Sequence, residues 1–122
     1  MTNAVFTARN TALVALGAVD APQEVTSAWI DEQLAETYAS CGVRPGLLEK
    51  VAGIHTRRWW PEGTTFDQVA AEAGRVALKN SGVSASEIDV LISTSVCKHH
   101  LEPSMASSVH HQLGLPSSAM NF

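Results

Sequence analysis

The chain has 122 residues, of which 45% are hydrophobic, and its net charge is −4 with only 8 lysines and arginines. This length and composition suit one globular domain, or part of one, and exclude a disordered tail. A nucleic-acid-binding protein would carry a basic patch, and no basic cluster here exceeds the pair Arg57 and Arg58. We therefore expect no nucleic-acid partner.

Export and membrane signals are weak. No stretch of the sequence reaches the roughly 18 apolar residues of a membrane-spanning helix. The apolar run from Ala12 to Val19 is short and has one nearby positive charge, Arg9, so a buried strand is favoured over a signal peptide. Cys41 and Cys97 are too few for a disulfide scaffold, and we expect both to remain thiols in the cytoplasm.

Strand and helix signals alternate in the first half of the chain. The predicted elements are a strand over 11–19, a helix over 23–40, a helical turn over 45–50 and an extended segment over 53–60. Thr26 or Ser27 is expected to cap the first helix, and Gly42 stands just past its end. Trp59 and Trp60 are expected to belong to a strand pair packed against that helix rather than to a substrate entrance.

The second half continues this alternation with clearer signals. Apolar residues recur at helical spacing from Phe66 to Ala77 and predict an amphipathic helix, with Thr64 as its candidate cap. The run from Ile88 to Val96 is apolar and β-branched nearly throughout, which predicts a central strand. A helix with Pro103 at its first position follows, and then a strand over 117–122. This order predicts an α/β layered fold with a largely parallel sheet.

The segment TSVCKHHLEPS, residues 94–104, holds several chemically reactive side chains close together. Cys97, His99, His100 and Glu102 lack the spaced pairs of a structural zinc site, so we expect no metal. A nucleophilic Cys97 with a histidine base is a better hypothesis, because α/β folds bind ligands at strand ends. A small buried cysteine is nevertheless the favoured interpretation, and the two histidines are expected to be solvated loop residues.

Glu102 differs from its neighbours. It precedes Pro103 at the predicted helix start, where free amides and the positive end of the helix dipole favour a carboxylate. Serine, threonine, aspartate and asparagine are the usual helix caps, and glutamate is not. This mismatch suggests a functional role for Glu102.

Three segments in register resemble the amino-terminal part of type III β-ketoacyl synthases of the thiolase superfamily. They are GIHTRRWW, SGVSASEIDVLISTSV, and LEPSMASSVHHQLGL running into AMNF. The resemblance covers the chain from about Gly46 onward. It implies a thiolase-like α-β-α-β-α layered fold, of which residues 1–122 form the first part of the amino-terminal half. It also implies a homodimer and acyl transfer from coenzyme A or acyl carrier protein.

The same resemblance implies which residues act. The reactive cysteine of the family lies in a D-x-x-x-x-C motif that would come beyond Phe122, with histidine and asparagine later still. Residues 1–122 would then work only with a companion chain or carboxy-terminal fragment. Glutamate before Pro-Ser resembles the OleA-type enzymes, which condense two acyl-CoA molecules, so Glu102 would be the base that deprotonates the second acyl thioester. Initiating synthases carry an apolar residue at this place.

The region of the family that approaches the coenzyme A nucleotide corresponds to residues 50–58. Lys50, Arg57 and Arg58 would bind the nucleotide there, although Val51 stands where the family has an arginine. No cofactor is expected, since the coenzyme A thioester is the substrate. Two alternatives remain open: a decarboxylative β-ketoacyl-acyl-carrier-protein synthase III, and a non-catalytic dimerising module.

Overall fold

The computed structural model describes residues 10–98 and 100–122. They divide into a hairpin unit, Asp20–Thr64, and a two-helix unit, which contains residues 10–19 and Thr65–Phe122. The elements in chain order are strand β1 (Gln23–Thr26), helices α1 (Ser27–Gln33), α2 (Ala35–Cys41) and α3 (Leu47–Ala52), strand β2 (Thr56–Trp59), helix α4 (Phe66–Ser81), a 3₁₀ turn (Ala85–Glu87), strand β3 (Val90–Leu91), helix α5 (Met105–Leu113) and strand β4 (Met120–Asn121).

The hairpin unit is built on an antiparallel strand pair. β1 pairs with β2, with Gln23 opposite Trp59 and Thr26 opposite Thr56. Thr26 ends β1 and caps α1, because its hydroxyl accepts a hydrogen bond from the amide of Trp29 at 3.0 Å. The rings of Trp29 and Trp59 meet edge to face, with centroids 5.7 Å apart. The prediction that Trp59 belongs to a strand pair packed on the first helix is thus confirmed.

The predicted helix over 23–40 is wrong at its beginning and is interrupted at its middle. Residues 23–26 are strand because their backbone groups pair with β2. Leu34 separates α1 from α2 with φ −99° and ψ 7°, outside the helical range. Gly42 follows α2 in the left-handed conformation, φ 67°, as the sequence predicts.

The two-helix unit packs α4 against α5. The cap of α4 is Thr65 and not the predicted Thr64, and the Thr65 amide donates to Oε1 of Gln68 at 3.1 Å. β3 and β4 lie within two segments predicted as strands, and they pair in parallel with Val90 opposite Met120. The buried apolar residues of this unit are Ala71, Met105, Ala106, Val109, Leu115 and Ala119.

Three predicted strands are absent or shortened, since β4 covers only Met120–Asn121 of the strand predicted over 117–122. Residues 11–19 form no strand among the described residues, and the backbone oxygen of Leu16 instead accepts from Nδ2 of Asn80 on α4 at 2.9 Å. Of the predicted strand over 88–96, only β3 is regular, although backbone hydrogen bonds to residues 120–122 extend from Asp89 to Ser93. Val96 is fully exposed.

The predicted largely parallel sheet is also wrong for residues 10–98 and 100–122. These residues contain two separate two-stranded sheets, of which β1–β2 is antiparallel and β3–β4 is parallel. None of the described helices has the length and apolar character that a membrane span requires.

Candidate functional site

Glu102 lies in the two-helix unit, on the segment that connects β3 to α5, and it lines a cavity of about 200 Å³. The wall of this cavity combines one ammonium group, one carboxylate, serine hydroxyls and apolar side chains. Its residues are Ser93, Ser95, Lys98, Leu101, Glu102, Ser104, Met105, Ala106 and Phe122. A cavity of this mixed character suits a polar reacting group that carries an apolar chain.

Ser104, and not Glu102, caps α5. The Ser104 Oγ accepts from the amide of Ser107 at 3.2 Å, and the two hydroxyls lie 3.0 Å apart. The helix therefore begins at Met105, so the predicted first position at Pro103 is wrong, because serine is a preferred cap. Glu102 is exposed, and its peptide bond to Pro103 is cis. Helix capping does not account for this glutamate.

The first turn of α5 is held from two sides. The hydroxyl of Ser107 donates to Oδ1 of Asn121 on β4 at 3.1 Å. The hydroxyl of Ser108 donates to Oδ2 of Asp67 on α4 at 2.5 Å, and Nε2 of Gln112 donates to the same oxygen at 2.7 Å. These bonds fix the start of the helix that follows Glu102.

Asp67 is a buried carboxylate whose ionised form is stabilised by its neighbours. The hydrogen bond from Ser108, followed by that from Thr65, lowers the pKa of Asp67 to about 2, against the opposing effect of burial. Charge-assisted hydrogen bonds of this kind are stronger than neutral ones. Asp67 is therefore ionised at neutral pH and holds α4 to α5.

The other reactive side chains of residues 94–104 that the structure describes, those of Cys97 and His100, differ in exposure. Cys97 is exposed, so its predicted burial is wrong, and its backbone oxygen accepts from the hydroxyl of Ser95 at 2.7 Å. His99 lies outside the described residues, and His100 is half-buried rather than fully solvated. Among the residues that the structure describes, no group of three or more His, Cys, Asp and Glu side chains is placed to hold a metal ion.

The three cations predicted to bind the nucleotide all lie in the hairpin unit, in different environments. Nη2 of Arg57 donates to Oγ of Ser27 at 2.8 Å, and Nη1 of Arg58 donates to the backbone oxygen of Ala21 at 3.0 Å. Lys50 lies in the last turn of α3 and is exposed. The two arginines therefore already stabilise the hairpin unit, whereas the Lys50 ammonium faces solvent.

Asp67 and its partners have no sequence pattern that marks them as site residues. An aspartate in the first turn of a helix is usually interpreted as an exposed residue that interacts favourably with the helix dipole. Its partners Ser108 and Gln112 are 41 and 45 residues away in the sequence. One signal was available: Asp67, Ala71 and Gly74 stand at i, i+4 and i+7 and share one face of α4.

Comparisons with known proteins extend this description. No family model matches the chain. The chain is 39% identical over 114 residues to the acyl-CoA:acyl-CoA alkyltransferase of Xanthomonas campestris pv. campestris, a match covering 93% of the chain and 34% of that protein. It is 33% identical over 84 residues to the 3-oxopimeloyl-acyl-carrier-protein synthase of Brucella abortus, covering 69% and 26% respectively. The solved structure of cerulenin-bound Xanthomonas campestris OleA matches with a TM-score of 0.80 and 39% identity, over 89% of this chain and 33% of that one.

The chain therefore has the sequence and the fold of the amino-terminal part of thiolase-like β-ketoacyl synthases. This match confirms the predicted fold class. Within that class, it is similar to the OleA-type acyl-CoA:acyl-CoA alkyltransferases, as its LEPS segment predicts. The chain spans about a third of the length of these relatives.

Proposed function

We propose that this chain supplies the amino-terminal part of an acyltransferase that joins two acyl-CoA molecules by Claisen condensation without decarboxylation. The observation that carries the proposal is the 39% identity, over 93% of the chain, to a protein named acyl-CoA:acyl-CoA alkyltransferase. Two observations on Glu102 support this proposal: it lines a cavity, and Ser104 rather than Glu102 caps α5. The product would be a 2-alkyl-3-ketoacyl thioester of coenzyme A.

The proposed reaction has two stages. First, a cysteine thiolate of the carboxy-terminal part attacks one acyl-CoA, which forms an enzyme thioester and releases coenzyme A. Second, the Glu102 carboxylate removes a proton from the α-carbon of another acyl-CoA. The enolate carbon then attacks the carbonyl carbon of the enzyme thioester. A carbon–carbon bond forms, the carbon–sulfur bond breaks, and the departing thiolate regains a proton.

The cavity that Glu102 lines is of mixed polarity, which suits a base that acts on an acyl thioester. A carboxylate can take a proton from carbon only where it comes within hydrogen-bond reach of that carbon. The cavity beside Glu102 is lined by polar residues and by apolar ones, the latter being Leu101, Met105, Ala106 and Phe122. The lining therefore offers polar contacts to a thioester and apolar contacts to its acyl chain.

The remaining parts of the proposal concern partners. We propose that the assembled enzyme is a cytoplasmic homodimer in which Glu102 reaches the acyl site of the partner. Lys50, with Arg57 and Arg58, would lie near the coenzyme A phosphates, and the exposure of Lys50 makes it the best placed of the three. A carrier-protein thioester is the alternative substrate, since one relative is named as an acyl-carrier-protein synthase.

The test uses the assembled enzyme, meaning residues 1–122 together with a carboxy-terminal part that contains the cysteine. Two sources can supply that part. One is a companion chain identified by intact-mass spectrometry of the purified sample, and the other is the corresponding part of Xanthomonas campestris OleA. The enzyme is incubated with acyl-CoA labelled at the carboxyl carbon, with and without malonyl-acyl carrier protein. A β-keto product from acyl-CoA alone that retains both labelled carbons is expected.

Two other outcomes would contradict the proposal in different ways. A product formed only with the malonyl thioester, together with release of carbon dioxide, would identify a decarboxylative synthase III. Absence of both product and acylated cysteine, in a sample that dimerises, would identify a non-catalytic module. Intact-mass spectrometry of the protein distinguishes these outcomes, because only the first carries an acyl group.

A further inference from the structure

We propose that Asp67 is a positioning residue, whose buried carboxylate on α4 holds the first turn of α5 and thereby sets the position of Glu102. This inference rests on the proposed function of Glu102 as the base. It assigns Asp67 a part in the condensation step although Asp67 does not itself contact the substrate.

The anchor is a closed triangle of hydrogen bonds. Oδ2 of Asp67 accepts from Oγ of Ser108 at 2.5 Å and from Nε2 of Gln112 at 2.7 Å, and the same Nε2 donates to Oγ of Ser108 at 3.2 Å. Asp67 is only 7% exposed. Burying a charge is costly unless it is hydrogen-bonded, so a displacement of α5 that broke these bonds to Oδ2 would be unfavourable.

The connection from the anchor to Glu102 is short and stiff. The amides of Ser107 and Ser108 donate to the backbone oxygen of Ser104 at 3.0 and 3.3 Å. Only Pro103 separates Ser104 from Glu102, and the proline ring restricts the backbone between them. A shift of the first turn of α5 is therefore passed on to the Glu102 backbone rather than absorbed by a flexible linker.

The first turn of α5 is anchored to two different elements. The hydroxyl of Ser107 binds Asn121 on β4, while the next residue, Ser108, binds Asp67 on α4. Loss of one anchor would leave the helix attached but allow it to pivot about the other. Because a base misplaced by about 1 Å can cost on the order of 10²-fold in rate, such a pivot would affect the proton transfer before it affected folding.

The experiment separates positioning from stability in the assembled enzyme. Ser108→Ala removes the donor to Asp67, Ser108→Thr keeps a hydroxyl, and Asp67→Asn keeps the shape but removes the charge. We expect Ser108→Ala and Asp67→Asn to lower kcat for condensation by about 10- to 100-fold, with acyl loading of the cysteine within about twofold of native. Ser108→Thr should recover most of the rate. Hydrogen–deuterium exchange should be faster over residues 100–107 in Ser108→Ala.

The matched control is Arg75→Ala, which removes a bond between the same two helices near the other end of α5. Nη2 of Arg75 donates to the backbone oxygen of Gln112 at 3.2 Å. Any loss of activity in this variant should affect acyl loading and condensation equally. A parallel fall of both steps in Ser108→Ala would overturn the positioning role of Asp67. Glu102→Gln is measured alongside, and undiminished condensation in that variant would overturn the assignment of the base itself, and the positioning role with it.

Discussion

The hydroxyl of Ser108 donates to the carboxylate of Asp67 at 2.5 Å, and this bond joins the first turn of α5 to the first turn of α4. The two residues are 41 positions apart, so the bond exists only when both helices are formed and packed. A charged acceptor makes it a stronger bond than a neutral pair. The stability of the two-helix unit should therefore depend on the ionisation of Asp67.

Asp67→Asn is expected to destabilise the assembled enzyme at neutral pH by about 1–2 kcal/mol, because a hydrogen bond to a charged group is replaced by a neutral one. The pKa of Asp67 is lowered from 3.8 to about 2, so the carboxylate stabilises the folded state above its unfolded pKa. That contribution is lost as the pH falls through 3.8 toward 2. Thermal unfolding of the native protein and the variant from pH 7 to pH 2 should show a difference that shrinks at acid pH.

Glu72→Gln is the matched control for this prediction. Glu72 is an exposed carboxylate on the same helix, where it pairs with Arg75 at 2.7 Å. Exposed pairs of this kind contribute roughly 0–1 kcal/mol, so the variant should unfold almost like the native protein at every pH. If Asp67→Asn behaves like Glu72→Gln at pH 7, the Asp67 carboxylate does not hold the two helices together.

Gly17→Ala is expected to destabilise the two-helix unit, because there is no space for its methyl group. A Cβ at Gly17 would lie 2.5 Å from the backbone nitrogen of Ala77 and 2.8 Å from the backbone oxygen of Ala73. Helix backbone cannot move aside as a side chain can. Overpacking of this type costs about 1–3 kcal/mol, which a thermal or urea unfolding curve of the assembled enzyme would detect.

Gly74→Ala provides the comparison. A Cβ at Gly74 would meet the Cδ1 atom of Leu113 at 3.0 Å, and that side chain can change its rotamer. Alanine also favours the helix over glycine by about 1 kcal/mol, which offsets part of the contact. The loss of stability should be clearly smaller than for Gly17→Ala. Equal losses would contradict the close approach of residue 17 to α4.

The elements that the sequence predicts well are those with strong local signals. The helical spacing from Phe66 to Ala77 corresponds to most of α4, and Gly42 ends α2 as its position indicates. Thr26 caps α1 as predicted, but the residues before it form a strand. Local spacing shows that a segment can be helical, whereas the pairing of β1 with β2 depends on residues thirty or more positions away.

The candidate site was predictable to a similar extent. Glutamate is a poor helix cap and serine is a good one, which already indicated that Glu102 has another role. The structure shows that Ser104 caps α5. The exposure of Cys97 and the burial of Asp67 were not predictable, because both depend on packing between distant segments. An aspartate has the same local signature whether it faces water or a hydroxyl on another helix.

Residues 1–122 expressed alone are expected to aggregate. Val90, Ile92, Met120 and Phe122 share one face of the β3–β4 pair and are 44%, 68%, 56% and 66% exposed. An open apolar sheet face with unpaired edges promotes association between chains. Ile92→Lys combined with Phe122→Glu should reduce the aggregation, measured by light scattering and size-exclusion chromatography.

Val51→Lys is the control for this variant, because Val51 is 76% exposed but belongs to α3 and is no part of that sheet. It should leave the aggregation unchanged if the sheet face is responsible. A native chain that is monomeric and melts cooperatively by itself would contradict the prediction.

Glu102→Gln is expected to separate the two chemical stages of the assembled enzyme. Glutamine keeps the shape of the side chain in the cavity wall but cannot accept a proton from carbon. Acyl loading should continue, because it requires a nucleophile and an oxyanion hole in the carboxy-terminal part. Condensation should fall by about 10²–10⁴-fold, the range typical of lost general-base catalysis. Mass spectrometry of the acylated protein and of the β-keto product, on the same samples, measures both stages.

Cys97→Ser is the control in the same loop. Cys97 is exposed and does not line the cavity beside Glu102, so its replacement should leave loading and condensation nearly intact. Loss of loading in Cys97→Ser would instead make this thiol the nucleophile and remove the need for a cysteine beyond Phe122. Undiminished condensation in Glu102→Gln would favour a decarboxylative synthase, because loss of carbon dioxide generates the carbanion without a base.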